Sequence, residues 1–188
     1  RVTFMMILGP QGNTWFRPVH TLEYKEHLMV GYRGFDTKGR EVQFPFGHGL
    51  SYTEFSLTAC TLSSDRIPWD RVSASGDSLE GEVLLTASCT VENTGNKPGA
   101  QVVQIYIHEP HPPLRRPEQE LKGYAKVHLG PGETRQIDIP LNGRSFMCYD
   151  PDRSAWRVDP GRFEIRWGFS SRDIRGAAEV TLLKPGKQ

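Results

Sequence analysis

The stretch Phe44-Pro45-Phe46-Gly47-His48-Gly49-Leu50-Ser51-Tyr52-Thr53-Glu54-Phe55, called the junction below, separates two differently patterned parts of the chain. It holds four aromatic residues and two glycines. Aromatic side chains bury large areas, so a short segment rich in them is expected to be anchored on a neighbouring surface. Before the junction, apolar residues follow no steady period; after it, they alternate with polar ones. The junction is therefore interpreted as a packed connection between two structural units, with a buried loop inside one domain as the alternative.

Size and charge limit the class of protein. The chain has 188 residues, a length that suits one or two domains with a real core. Its 19 glycines and 14 prolines favour many short strands and turns over a helix bundle. A formal net charge of +1 indicates neither a nucleic acid nor an anionic membrane as partner. The longest apolar run, Phe4–Leu8, is too short to cross a membrane.

Cysteine usage suggests a reducing compartment. The three cysteines, Cys60, Cys89 and Cys148, are far apart, and an odd, sparse count argues against a disulfide framework. Cys89 falls on an apolar strand face and is expected to be a buried free thiol. The chain contains no Asn-x-Ser/Thr acceptor for glycans. These features lean toward the cytoplasm and leave secretion open.

The first part of the chain, residues 1–55, looks incomplete. Arg1 is followed by no signal-peptide pattern, and the apolar run Phe4–Leu8 is typical of the inside of a domain. A turn-rich break follows at Gly9–Asn13, and a strand is predicted around Leu28–Phe35 before a turn at Asp36–Gly39. The apolar side chains of this part need a partner surface, so we expect the chain to begin partway through a longer polypeptide.

The second part, residues 56–188, alternates strictly. In the strand predicted over Glu82–Glu92, the residues Val83, Leu85, Ala87, Cys89 and Val91 share one face, as in a strand buried on one side. The polar segment Ile67–Gly81 is predicted to be a long loop. Four prolines in Glu109–Pro117 forbid regular pairing and predict a stiff, extended loop. Further strands are predicted around Phe55–Cys60, Ala100–His108, Leu121–Leu129, Ile137–Leu141, Phe163–Phe169 and Ala177–Leu183.

About eight short strands with regular turn signals indicate an all-β, antiparallel β-sandwich. The Cys…Trp…Cys order of true immunoglobulin domains is missing, because Trp156 follows both Cys89 and Cys148. A fibronectin type III-like (immunoglobulin-like) sandwich is the better class.

Two motifs carry a resemblance to a known family. The junction resembles the signature of glycoside hydrolase family three, the β-glucosidase family, and Arg116–Tyr124 resembles its Arg-Pro-x-x-Glu-Leu-Lys-Gly-aromatic signature. Residues 23–36 are similar to the end of that family's α/β-sandwich domain, although Gly34 stands where an aromatic residue is usual. The resemblance covers roughly residues 22–183, and residues 1 to about 20 match nothing.

The resemblance implies a division into two parts. Residues 1–55 would be the C-terminal tail of the α/β-sandwich catalytic domain and the junction, and residues 56–188 the fibronectin type III-like domain. The whole protein would be a retaining β-glucosidase that hydrolyses terminal non-reducing β-D-glucosyl residues, with its catalytic Asp and Glu upstream. This segment would be structural, inactive alone and without a cofactor. Its partners would be the upstream catalytic domains, which bind most of the substrate; homo-oligomerisation is left open.

Two other functions are kept as alternatives. One is the same family with β-xylosidase or other exo-glycosidase specificity. The other is a stand-alone, non-catalytic binding or spacer module, which should begin near residue 50 and expose an aromatic platform for sugar.

No residue is predicted to be catalytic, cofactor-binding or metal-binding. Glycoside hydrolysis uses two carboxylates that flank the scissile bond, but Glu23, Glu26 and Asp36 lie among charged or turn residues and are expected to be solvated. Prolines separate His108 from His111, and no further ligand completes a zinc set. His48 is expected to bond backbone within the junction.

The arginine pair Arg115 and Arg116 lies in the proline-rich loop. Without a basic face around it, the pair does not indicate nucleic acid. We expect the loop to dock on the neighbouring catalytic domain, with Arg116 paired to a carboxylate there because its planar fork suits bidentate pairing.

Overall fold

The computed structural model describes residues 2–4, 20–22, 26–75 and 81–184, the first two ranges by their backbone alone. Two short strands, β1 (Val2–Phe4) and β2 (His20–Leu22), pair antiparallel. The predicted break at Gly9–Asn13 lies outside the described residues. A short helix, α1 (Tyr32–Thr37), precedes the junction.

Two sheets follow the junction and form the sandwich. The smaller sheet has the order β3-β5-β8 and the larger one the order β4-β12-β11-β6-β7. The strands are β3 (Phe55–Leu62), β4 (Arg66–Pro68), β5 (Val83–Asn93), β6 (Gly99–His108), β7 (Glu120–Leu129), β8 (Thr134–Asn142), β11 (Gly161–Ser170) and β12 (Asp173–Leu183). All neighbours in these two sheets are antiparallel except β12 and β4. The predicted all-β, fibronectin type III-like sandwich is confirmed.

Smaller elements close the ends of the sandwich. A helix, α2 (Trp69–Ala74), follows β4, and a 3-10 turn, Gly143–Ser145, follows β8. A separate hairpin joins β9 (Cys148–Asp150) to β10 (Ala155–Arg157) through a turn at residues 151–154.

The core lies between the two sheets and uses the alternating residues. The inward faces of β5, β6 and β11 supply much of it, because side chains of a strand point alternately to its two faces. Phe146 and Phe163 meet edge to face in its centre, with 5.5 Å between ring centroids. Members with almost no exposed surface include Leu85, Ala87, Val91, Val103, Ile105, Ile139, Leu141, Ile165, Val180 and Leu182.

Three predictions about local structure are wrong. The strand predicted around Leu28–Phe35 is replaced by α1, because a short apolar run does not distinguish strand from helix. The predicted loop Ile67–Gly81 contains β4 and α2, whose apolar Ile67 and Val72 are buried in the core. Val83 leaves the buried face of β5, since a register irregularity between Val83 and Leu85 turns its side chain outward.

The prediction of a free thiol at Cys89 is also wrong. Cys60 on β3 and Cys89 on β5 stand directly opposite each other in the register and form a disulfide. The register between β3 and β5 places the two cysteines opposite each other. That register depends on the sheet topology, which the spacing of the cysteines in the sequence does not reveal. Cys148 is free. The disulfide removes one of the two observations that favoured a reducing compartment.

Replacing Phe163 by Ala tests the assignment of the core. Loss of a fully buried ring leaves a cavity beside Phe146, and we expect the free energy of unfolding to fall by about 3–5 kcal/mol. Urea unfolding of the 188-residue chain measures it. The control is Tyr124→Ala, which removes an exposed ring from β7 and should change stability by less than about 0.5 kcal/mol. Equal effects of the two substitutions would contradict the packing described.

Candidate functional site

The backbone of the junction is fixed on the sandwich. The N–H of Ser171 donates to the carbonyl of Phe46 at 2.9 Å, and the N–H of Thr94 donates to the carbonyl of Glu54 at 2.9 Å. Gly47 has φ +85°, and a Cβ there would collide with the amide of Gln104 on β6, so the site needs glycine. The predicted anchoring of the junction is correct for its backbone.

The aromatic side chains of the junction are less buried than expected. Phe55 packs on the core, but Phe44, Phe46 and Tyr52 are 65%, 46% and 92% exposed. Leu50 is exposed as well. The junction is therefore held on the sandwich by its backbone and by Phe55, and it offers much of its other apolar surface to solvent.

Helix α1 docks on the strand that carries the second motif. The backbone N–H of Leu121 donates to the Tyr32 hydroxyl at 2.8 Å, and the N–H of Glu118 donates to Thr37 Oγ1 at 2.8 Å. The ring of Tyr32 also stacks on Phe46, with 4.6 Å between centroids. The two sequence motifs, about seventy residues apart along the chain, therefore meet through α1.

A buried charged cluster, made of Arg33, Glu109, Arg116, Glu120 and Lys122, lies beside this contact. Arg116 is its centre: Nη1 donates to Glu109 Oε2 at 2.7 Å, and Nη2 donates to Glu120 Oε2 at 2.5 Å. The Arg116 side chain keeps 5% of its surface exposed. Nη1 also reaches the carbonyl of Phe146 at 3.3 Å, which ties the cluster to the core. Lys122 Nζ and Arg33 Nη2 lie 3.6 and 3.9 Å from the carboxylate of Glu120.

Burial and charge act in opposite directions on this cluster. Burial raises the pKa of Glu120, but Lys122, Arg116 and Arg33 outweigh it and hold that pKa below its usual value. Burial lowers the pKa of Lys122, and the attraction of Glu120 offsets only part of this effect. For Glu109, burial raises the pKa more than Arg116 lowers it.

Two carboxylates with oppositely shifted pKa values are the usual mark of an acid–base pair, but Glu109 and Glu120 are not arranged for hydrolysis. Arg116 bonds to both. Glu120 lines a cavity of about 610 Å³ beside the cluster, whereas Glu109 does not. A substrate could not lie between the two carboxylates without displacing the guanidinium. The cluster is built to hold the loop, β7 and the core together.

The expectation that Arg116 pairs with a carboxylate of another domain is wrong. Both of its terminal nitrogens are bonded within this chain, and its side chain is buried. Arg115 is exposed, so the two arginines do not form one basic surface. The sequence contained the signal for this cluster, since Arg116, Glu120 and Lys122 all lie in the second motif. The spacing of residues in that motif did not reveal that Glu109, which lies outside it, pairs with Arg116.

The other residues weighed from the sequence are dispersed. Glu23 lies outside the described residues, and Glu26 is exposed. Asp36 is not a solvated carboxylate as expected, because its Oδ1 pairs with Arg172 Nε at 2.8 Å and its side chain is 9% exposed. This pair gives α1 a second attachment to the sandwich.

The candidate histidines, His48, His108 and His111, do not form a common site. His108 contacts the carbonyl of Glu118, and His111 is exposed in the loop. The ring of His48 stacks on Phe44, and its backbone N–H donates to the carbonyl of Pro45 at 3.0 Å. Within the described ranges, no group of three His, Cys, Asp or Glu residues is placed to hold a metal ion. No helix in the same ranges has the length and apolar character needed to cross a membrane.

Substitution of Arg116 tests the structural role of the cluster. Arg116→Ala leaves two carboxylates buried without their partner, and we expect it to lower the free energy of unfolding by about 3–5 kcal/mol. The matched control is Arg115→Ala, one residue earlier and exposed, with an expected effect below about 0.5 kcal/mol. Urea unfolding of the 188-residue chain measures both. A stable Arg116→Ala variant would mean that the cluster is not a structural centre.

Comparison with known proteins identifies what this chain resembles. The Fibronectin type III-like domain family matches residues 101–171. Thermostable beta-glucosidase B of Acetivibrio thermocellus is 42% identical over 153 residues, which are 81% of this chain and 19% of that protein. An exo-alpha-(1->6)-L-arabinopyranosidase of Bifidobacterium breve is 34% identical over 178 residues, 95% of this chain and 22% of the relative.

Solved structures agree with the sequence comparison. The crystal structure of the Bifidobacterium adolescentis GH3 beta-glucosidase superposes with a TM-score of 0.72 at 34% identity, over 85% of this chain and 21% of that one. The chain thus spans about a fifth of the length of the relatives it matches. In sequence and fold, this chain belongs with the C-terminal region of the β-glucosidases of glycoside hydrolase family three, and it carries their fibronectin type III-like domain.

Proposed function

We propose that this chain is the C-terminal segment of a retaining β-glucosidase that hydrolyses terminal non-reducing β-D-glucosyl residues. Residues 1–55 complete the α/β-sandwich catalytic domain, and residues 56–188 add the fibronectin type III-like domain. The role of the segment is structural: it packs against the catalytic domains of the same polypeptide and supports their edge. The observation that carries this proposal is the match to β-glucosidases over most of this chain but only about a fifth of theirs.

The exposed apolar surface supports the packing role. Between residue 28 and the end of the junction, several large apolar side chains are exposed, although α1 and the junction backbone are firmly attached. They are Leu28, Val30, Phe35, Phe44, Phe46, Leu50 and Tyr52. Large contiguous apolar patches on monomers mark contact sites. A preceding domain of the same polypeptide would cover these residues, apart from Leu28, which lines a cavity beside the charged cluster.

The described carboxylates support an inactive segment. A retaining glycosidase needs two carboxyl groups about 5–5.5 Å apart that are open to the sugar. Glu109 and Glu120 are both bonded to Arg116. Asp36 is bonded to Arg172, and Glu26 is exposed. The nucleophile and the acid/base therefore belong, in our proposal, to the preceding domains.

A second specificity has its own support. The relative from Bifidobacterium breve that matches over 95% of this chain is an exo-alpha-(1->6)-L-arabinopyranosidase. Cleavage of a terminal pentopyranoside instead of a glucoside would leave the structural role of this segment unchanged, since the sugar contacts lie in the catalytic domains. The alternative of a stand-alone spacer module is less well supported, because residues 32–40 are bonded to the sandwich by Tyr32, Thr37 and Asp36.

Turnover assays test the assignment. We expect the 188-residue chain to cleave neither an aryl β-glucoside nor an aryl α-L-arabinopyranoside, because in our proposal the catalytic carboxylates lie in the preceding domains. The polypeptide encoded by the complete reading frame should cleave one of them, and its preference decides between the two specificities. Release of the aryl alcohol is measured by absorbance. Hydrolysis by the 188-residue chain alone would disprove the placement of the catalytic residues.

The packing role is tested by Phe35→Ala in two contexts. In the 188-residue chain, the ring of Phe35 is 44% exposed, and its removal should change the melting temperature little. In the longer polypeptide, a covered ring contributes more, and we expect the melting temperature to fall by at least about 2 °C. Tyr124→Ala, on the outer face of β7, serves as the control in both. An equal effect of Phe35→Ala in the two contexts would contradict the proposed contact.

A further inference from the structure

A cavity of about 610 Å³ lies beside the charged cluster. Its walls come from α1, β7, the end of β8 and the β9–β10 hairpin. This volume falls within the range of small-molecule sites, which usually combine apolar walls with a few convergent polar groups. The cavity has both, and neither the disulfide nor the junction takes part in it.

The cluster at the base of this cavity is short of negative charge. Arg33, Arg116 and Lys122 line the cavity together with a single carboxylate, that of Glu120. Glu120 contacts all three cations, at 3.9, 2.5 and 3.6 Å respectively. Glu109, which does not line the cavity, also pairs with Arg116. Two carboxylates therefore face three cations, and the excess positive charge lies at Lys122 and Arg33.

Within the cluster, the charged form of Lys122 is the one that a further anion would stabilise most. Its side chain is 18% exposed, so little water reaches the ammonium, and its one close carboxylate is shared with two arginines. Burial penalises the charged form of an amine unless an anion or a hydrogen-bond acceptor compensates. A carboxylate that enters the cavity would supply that compensation.

The rest of the lining suits a ring-shaped ligand. Leu121 and Met147 form apolar wall, and Tyr149 and Trp156 meet edge to face at the hairpin, with 5.3 Å between ring centroids. Both aromatic rings are partly exposed. One face of Trp156 is covered by the guanidinium of Arg144, which leaves Tyr149 as the more open ring.

We propose that this cavity binds a hexuronic acid residue of a glycan, with its carboxylate held by Lys122 and Arg33 and its ring against the hairpin. The carboxylate follows from the charges of the cluster. The choice of a sugar rests on the proposed function, since a glycoside hydrolase meets plant or microbial glycans in which uronic acids accompany neutral sugars. The site would act as an anchor for acidic glycan chains.

Calorimetric titration of the 188-residue chain tests this proposal with three probes: methyl β-D-glucuronide, methyl β-D-glucoside and acetate. We expect the glucuronide to bind more tightly than the other two, and its affinity to fall as salt is raised. Lys122→Met should weaken glucuronide binding by about tenfold or more, because a charge-assisted contact is lost. Arg33→Gln should act in the same direction. The matched control is Lys126→Met, on the same strand but outside this cavity.

Each other outcome overturns the proposal. Equal affinity for glucuronide and glucoside would show that the carboxylate is not recognised. Equal affinity for glucuronide and acetate would show that the sugar ring is not recognised. No measurable binding, or an unchanged affinity in both Lys122→Met and Arg33→Gln, would show that the cavity is not the site. Should either variant fail to fold, the selectivity and salt dependence of the unmodified chain still decide. None of these results depends on turnover by the longer polypeptide, so failure here is distinguishable from failure of the proposed function.

Discussion

The two bonds that Arg116 makes to Glu109 and Glu120 are the constraint on which the arrangement of this molecule depends. A buried guanidinium is tolerable only when carboxylates and carbonyls satisfy its donors, because desolvation of a lone charge costs several kcal/mol. Satisfying it fixes the proline-rich loop, the first residue of β7 and the carbonyl of Phe146 in one place. With β7 fixed there, the backbone N–H of Leu121 donates to the hydroxyl of Tyr32, and this bond positions helix α1. The charged cluster thus positions the parts that a proline-rich loop would otherwise leave loosely connected.

Part of the larger sheet, at residues 104 and 106 of β6, is covered on both faces. The inward residues of β6 pack in the core, whereas Gln104 and Tyr106, on its outer face, are buried as well. Burial raises the pKa of the Tyr106 hydroxyl, which donates to the side chain of Gln104 beneath the junction. Outer-face residues of a two-layer sandwich normally meet water. Here they meet the junction and α1, which form a partial third layer whose own far side remains apolar and exposed.

The sequence predicted the structure well where apolar and polar residues alternate regularly. It did not predict contacts between residues that are far apart along the chain. Alternation in β5, β6 and β11 predicted the sandwich and most of its buried faces, because period 2 is the direct result of strand geometry. It failed at Val83, where the register is irregular, and at α1 and α2, since six-residue helices are too short to show a period. The Cys60–Cys89 disulfide depends on the register between β3 and β5. The Glu109–Arg116 pair depends on how the proline-rich loop folds back on itself. In the candidate site, the residues of the second motif were visible in the sequence, but their burial and mutual pairing were not.

The bond between the backbone of Leu121 and the hydroxyl of Tyr32 joins residues separated by 89 positions. During synthesis, Tyr32 leaves the ribosome several seconds before β7 exists at typical elongation rates, so α1 cannot make its bond to β7 during that interval. A contact between the apolar side chains of this region and a preceding domain, as proposed above, can form earlier than the bond to β7. A chain with this topology therefore completes the attachment of α1 only after its middle strands have been made.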